Sequence, residues 1–306
     1  MASPDISILI ITYNRDIDCA ALLENIAKQN NITEYVGEIL LLNNHSSTPY
    51  NNTEDFIKKS SLPIDYIYHD ENLGVAKGRN FLIQKAKYPI LLVIDDDIEF
   101  EHENAVETIA GLFEKKEFSE NNTAVITLNI HYFETRERQK NALPHKHYSA
   151  YKDKEWFLTY YFVGAAHVMR KELFEKTGYY PTDFFYGMEE YDLSYRIINA
   201  GYSLAYDNAV VVWHKESPSG RITNKERMGM LWYNKSKVAW KYLPEKYFYS
   251  TAFMWSIEYL IKTKFDIKGF FTICNKIRKI PSAVNRQPVG MSAMNHLHKV
   301  MARLWY

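Results

Sequence analysis

The sequence has no net charge, little cysteine and no long hydrophobic run. Lys plus Arg and Asp plus Glu both number 37. That balance argues against a protein working mainly through nucleic-acid phosphates. The two cysteines, Cys19 and Cys274, have no metal-ligand spacing, so neither a disulfide framework nor a thiolate metal site is expected. A reducing, cytoplasmic setting follows as the expectation. The apolar stretch 6–11 is short and has no basic leader, so it reads as a strand and not as a secretion signal. Stretch 247–261 falls short of the ~20 residues a membrane span needs and contains Glu258. It reads as a helix buried in the protein or lying at an interface. There is no internal repeat and no low-complexity tract. Aromatics are abundant, with 24 Tyr, 16 Phe and 6 Trp; they suit carbohydrate or lipid-interface contact, or reflect coding bias alone.

Through residue 100, strand and helix patterns alternate. Apolar runs at 6–11, 38–42, 64–69 and 90–94 predict strands; 18–29, 56–59 and 74–87 predict helices. Such alternation means parallel pairing with right-handed crossovers. Further on, 103–116 predicts a helix, 124–130 a strand, 134–151 a polar, basic loop, 189–200 a helix and 209–213 a short strand. Composition changes near 216, after which 224–242 and 247–261 predict helices. The expected architecture is therefore α/β, a Rossmann-like mixed sheet flanked by helices with a C-terminal helical extension. The expected division is 1–100 for a nucleotide-binding half, 101–215 for an acceptor half and 216–306 for the extension.

The most informative feature is Asp95-Asp96-Asp97, at the end of the buried run Ile90-Leu91-Leu92-Val93-Ile94. Three carboxylates there are electrostatically costly unless something positive neutralises them. A divalent cation carrying a nucleotide diphosphate would do so; the simpler alternative is an acidic loop. Three other polar clusters also follow predicted parallel strands: Thr12-Tyr13-Asn14-Arg15, Asn43-Asn44-His45-Ser46-Ser47, and Asn72-Leu73-Gly74 running on to Lys77, Arg79 and Asn80. In a parallel sheet all four converge on the carboxyl edge, where ligands bind.

In this order, the clusters resemble those of family 2 glycosyltransferases of the GT-A fold. The likeness continues in Phe162-Val163-Gly164-Ala165, in Glu189-Glu190-Tyr191-Asp192-Leu193, which is similar to the family's Glu-Asp-x-Asp-Leu motif, and in Val211-Val212-Trp213-His214. It spans roughly 5–215. The tail is similar to the variable helical ends of bacterial surface-polysaccharide transferases.

The resemblance implies roles. Asp97, with Asp95 and His214, would hold Mn²⁺ or Mg²⁺. Thr12, Tyr13, Asn14, Arg15, Asn43, Asn44, Asn72, Lys77, Arg79, Asp95, Asp96 and Gly164 would surround a UDP-, dTDP- or GDP-sugar. Position 43 is often Asp in the family, so Asn43 leaves the base open. Glu190 would be the general base for an acceptor hydroxyl, with Glu189 next and Asp192 in support. The implied reaction is metal-dependent, inverting transfer of a hexosyl or deoxyhexosyl group to a glycan or lipid-linked glycan, in bacterial surface glycan synthesis. The C-terminal helices are candidates for peripheral contact at the inner face of the plasma membrane. Two other readings compete: an inactive nucleotide- or glycan-binding homologue, and a sugar-phosphate nucleotidyltransferase. The latter normally carries a Gly-rich, Arg-containing loop after strand one, which Thr12-Tyr13-Asn14-Arg15 is not.

Overall fold

The computed structural model describes residues 5–216 and 223–305. Residues 217–222, where the composition changes and the expected extension begins, lie outside the described residues, as does the last residue of that extension. Among the described residues, nine strands form one mixed sheet: β1 (Ile6–Thr12), β2 (Val36–Asn43), β3 (Ile64–Tyr68), β4 (Ile90–Asp95), β5 (Ile98–Phe100), β6 (Thr123–Tyr132), β7 (Trp156–Thr159), β8 (Ala166–Arg170) and β9 (Ser203–His214). Their order is β3-β2-β1-β4-β8-β6-β9-β5, with β7 also on β9.

The first four strands are parallel, as their alternation with helices requires. β8 runs antiparallel between β4 and β6, and β9 is parallel to β6. β9 therefore points the same way as β4, and its end at His214 lies on the edge where β4 ends. β8 begins on that edge, just after Gly164.

Alternate residues of each strand enter two cores, one on each face. Leu9, Leu40, Leu42, Leu91 and Val93 face a core shared with Leu82, Leu193 and Trp232. Ile8, Ile10, Ile39, Leu41, Leu92 and Ile94 face one shared with Leu22, Leu23 and Ile109. Each fully buried aliphatic side chain contributes roughly 1.5–3 kcal/mol. The apolar run before the acidic tip is thus anchored on both faces of the sheet.

Two local expectations are corrected, and two short strands were not expected. The predicted helix at 103–116 is broken into Ala105–Ala110, a 3₁₀ turn at Leu112–Glu114 and Lys116–Ser119. Gly111 lies at the first break, where a glycine costs helix stability. The strand expected at 209–213 begins at Ser203; its pairing with β6 shifts register between Tyr206 and Val211, so Asp207-Asn208 lie in an irregularity within β9. β5 and β7 span only three and four residues, too short for a period-2 pattern to register.

The helix Asn224–Tyr242 matches its predicted bounds. Thr223 caps it, accepting from the Glu226 amide while the Glu226 side chain reaches back. It packs against Glu245–Lys262 and Ile267–Arg278, with Trp232 between Tyr259 and Phe270. Among the described residues, no helix is long and apolar enough to cross a membrane.

Candidate active site

The carboxyl edge gathers the predicted clusters. The chain turns sharply after β4, so Asp96 and Asp97 occupy the tip between β4 and β5. β5 pairs with β9 in a register that sets Ile98 opposite His214, and the Lys215 amide donates to the Asp97 carbonyl at 3.0 Å. That register brings together residues more than a hundred positions apart. Asp95, Asp97 and His214 each offer a ligand atom, all within 4.8 Å of one another. Two hard carboxylates and an imidazole suit Mn²⁺; Mg²⁺ would lean on the oxygens. The donor set fits a divalent cation.

The electrostatic cost of the tip is met by the protein itself. Arg15 lies 2.8 Å from Asp96 and 3.2 Å from Asp97. Arg79 is 3.6 Å from Asp95, and His214 Nε2 is 3.3 Å from Asp97. Burial pushes the Asp96 carboxyl up to about 7 against the pull of Arg15, with Asp97 adding to the rise. Burial alone would lower the His214 pKa, but Asp97 and Asp95 outweigh it and raise it. The other ring nitrogen, Nδ1, is 3.4 Å from Gln139 Oε1. With that nitrogen donating, Nε2 is left for Asp97 or a metal. Gln139 was not foreseen: it sits in the polar loop at 134–151, and no spacing in the chain ties it to His214.

The first two loops brace each other. Thr12 is buried, its hydroxyl 2.7 Å from that of Tyr50, which also accepts from the Arg15 amide. Asn14 adopts a positive φ of 55°, which asparagine tolerates, and accepts from the Ser47 amide at 2.8 Å. Asn43 donates to Tyr66 and accepts from the Ser46 amide. Asn44 donates to Asn72 and accepts from the Leu73 amide. Tyr13 is half-buried beside them. These asparagines therefore shape the edge through loop-to-loop hydrogen bonds. Lys77 is exposed on the helix Gly74–Lys85 and enters none of these contacts.

Arg79 connects the acidic tip to the second acidic group. It is buried in the same helix, with its guanidinium 5.6 Å from the Tyr180 ring centre. Asn80 fixes the Tyr180 backbone with two hydrogen bonds of 2.9 Å. Besides Asp95, Arg79 donates to Glu190 Oε1 at 2.9 Å and to the Gly164 carbonyl at 2.8 Å. Glu190 lies in the first turn of the helix Glu189–Asn199, a position the helix dipole favours for acids. Glu189 is buried, and its Oε2 has no hydrogen-bond partner among the described residues. Burial, and then Glu190, raise the Glu189 pKa to about 8 despite Arg79. Asp192 faces elsewhere: Arg196 holds it at 2.9 Å, and Lys241 of the C-terminal helix binds its other oxygen. That helix also grips the approach to the acidic turn. Asn234 donates to the Tyr186 and Gly187 carbonyls at 3.0 Å, and Lys237 pairs with Asp183.

Gly164 leaves room for this arrangement. A Cβ there would collide with Glu190 Oε1 and sit 2.9 and 3.1 Å from the two terminal nitrogens of Arg79. Gly164→Ala is expected to separate Arg79 from Glu190 and to cost about 1–3 kcal/mol. The denaturant midpoint measures this; an unchanged midpoint would mean that the pair relaxes freely.

The family model described as glycosyl transferase family 2 matches residues 7–178. An uncharacterised protein of Haemophilus influenzae is 34% identical over 181 residues, covering 58% of this chain and 92% of its own. Among solved structures, the mannosyltransferase PcManGT from Pyrobaculum calidifontis, in complex with GDP-Man and Mn²⁺, superposes with a TM-score of 0.61 at 15% identity, covering 100% of this chain and 82% of its own. S. aureus TarS 1–349 in complex with UDP-GlcNAc gives a TM-score of 0.63 at 14% identity, covering 90% and 81%. At such identities the structural likeness establishes the fold, and it is the GT-A glycosyltransferase fold.

Proposed function

The chain belongs to glycosyl transferase family 2, and on that footing we propose that it is a metal-dependent, inverting glycosyltransferase. It moves a hexosyl or deoxyhexosyl group from a nucleotide-diphosphate donor to a hydroxyl of a glycan or lipid-linked glycan, in the making of a bacterial surface polysaccharide. What supports this reading is a single edge that gathers Asp95, Asp97 and His214, which could hold a cation, and joins them through Arg79 to the Glu190 carboxylate.

Asp95, Asp97 and His214 would hold Mn²⁺ or Mg²⁺. When bound there, such an ion neutralises the diphosphate and stabilises the departing nucleotide. Arg15 orients Asp96 and Asp97, so the tip keeps its shape before a donor arrives. Thr12, Tyr13, Asn14, Asn43, Asn44 and Asn72 form the wall against which base and ribose lie. Glu190 takes the acceptor proton as the hydroxyl attacks the anomeric carbon from the face opposite the diphosphate. Arg79 fixes that carboxylate beside Gly164. Glu189, buried beside Glu190 with its pKa raised by that burial, is the second candidate. Asp192 positions the helix by tying it to Lys241. In this reading 1–100 serves the donor, 101–215 the acceptor, and 216–306 is the helical extension.

A thermal-shift panel of UDP, GDP and dTDP, with and without Mn²⁺, tests the proposal. One nucleotide is expected to raise the melting temperature by several degrees only when the metal is present. For a domain of this size, ~1 kcal/mol moves the midpoint by about 2–4 °C. No shift with any of the three, with or without metal, would refute it.

A further inference from the structure

The C-terminal helices expose an apolar face that the catalytic reading does not use. On the helix Glu245–Lys262, Tyr249, Phe253, Ile257 and Ile261 recur every four residues, which places them on one side. All are exposed; Tyr249 and Phe253 keep 61% and 65% of their surface. The opposite side buries Tyr247, Phe248, Thr251 and Tyr259 in the protein. Phe265 in the turn and Phe271 beyond it expose 67% and 66%. Scattered apolar residues are normal on a surface, but a continuous large patch marks an interaction site.

The turn carries a second observation. Lys264 and Phe265 are consecutive non-glycine residues at positive φ, 55° and 59°. A bulky side chain in that region is strained by about 1–3 kcal/mol and persists where structure or function requires it. Here the strained backbone holds an aromatic ring at the exposed tip of a helical hairpin.

Charge indicates the partner. Residues 245–279 contain seven cations and three acids. Each acid is already engaged: Glu245 with Arg286 at 2.7 Å, Glu258 with Lys262 at 4.0 Å, and Asp266 with the Tyr259 hydroxyl at 2.9 Å. Lys246, Lys264 and Lys268 are exposed on the same two helices and the turn that joins them. Apolar rings flanked by lysines, on helices too short or too polar to span, are the makings of an interfacial anchor.

We propose that the face formed by Tyr249, Phe253, Ile257, Ile261, Phe265 and Phe271 docks on an anionic lipid surface, with Phe265 entering the acyl boundary. The hairpin packs on the helix whose Asn234 and Lys237 hold the 183–187 loop, so docking would set the active-site edge at a fixed height above the lipid.

The test is co-sedimentation of the full chain with vesicles of phosphatidylcholine alone or mixed with phosphatidylglycerol. Binding is expected to the mixed vesicles, to weaken with salt, and to fall at least tenfold in Phe253→Ser/Phe265→Ser/Phe271→Ser. Phe265→Gly relieves the positive φ, so it should lose vesicle binding while its melting temperature holds or rises. A purely structural role for Phe265 would instead lower the melting temperature and leave binding intact. Equal partitioning of wild type and triple variant, or a concentration-dependent dimer that the triple variant abolishes, would overturn the proposal; the latter would assign the face to a second copy. The nucleotide thermal shift should be unchanged in these variants, so failure here and failure at the nucleotide site are separable.

Discussion

Asp97→Ala is expected to abolish the Mn²⁺-dependent thermal shift with nucleotide and to reduce sugar transfer on the order of 10³-fold. The magnitude follows from the several kcal/mol that a bound cation supplies to a developing diphosphate charge, at 1.36 kcal/mol per tenfold in rate. Asp97 is buried, and it lies within 3.3 Å of both Arg15 and His214. Alanine would therefore also leave two cations short of a counter-charge, which by itself lowers stability. Asp97→Asn separates the two effects. It preserves volume and hydrogen bonding but removes the charge, so metal affinity should fall while the fold survives. Retained Mn²⁺-dependent nucleotide binding in a folded Asp97→Asn protein would remove Asp97 from the metal site.

Glu190→Gln is the second large expectation. The amide oxygen can still accept from Arg79, so the site should keep its geometry and its nucleotide thermal shift. Transfer should fall by a factor on the order of 10²–10⁴, the usual contribution of a positioned base. Glu189→Gln should behave in the opposite way. Glu189 is held protonated in the fold by burial and by Glu190, with a pKa raised to about 8. Between the ordinary glutamate range and about pH 8 the folded state therefore binds more protons at this position than the unfolded state, and stability falls as pH rises across that window. Removing the titrating group should flatten that decline and leave transfer largely intact. Melting curves from pH 5 to 9 would read the first effect. Transfer that survives Glu190→Gln but fails in Glu189→Gln would reverse the two roles.

Much of this was legible in the sequence, for identifiable reasons. Apolar runs at strand length fixed β1 to β4, and the turn residues after each run marked the carboxyl edge. The acidic tip could be read because aspartates beside a buried strand demand an explanation. Helix 224–242 is legible at its true bounds, and the structure shows Thr223 and Glu226 forming a capping box at its start. What stayed hidden depends on closure of the chain. Arg79 and Glu190 are 111 residues apart, and Gln139 and His214 are 75 apart; neither pairing leaves a periodic trace. Arg15 reads in the sequence only as one of the residues around the nucleotide sugar, and its partnership with the tip's own carboxylates leaves no trace there. Asp192 reads as a supporting residue, but the partners it has in the fold, Arg196 and Lys241, cannot be read from the sequence.

The grip of helix Asn224–Tyr242 on Asp183, the Tyr186-Gly187 backbone and Asp192 bears on how such chains can be recombined. A chimera that takes its last eighty residues from a relative would strand two carboxylates without their lysines, unless 183–192 travels with them. Graft boundaries should therefore fall before residue 183, not at the compositional break near 216. By the same logic, the tail and the segment that presents the two glutamates are best exchanged as one block, leaving the first hundred residues as they are.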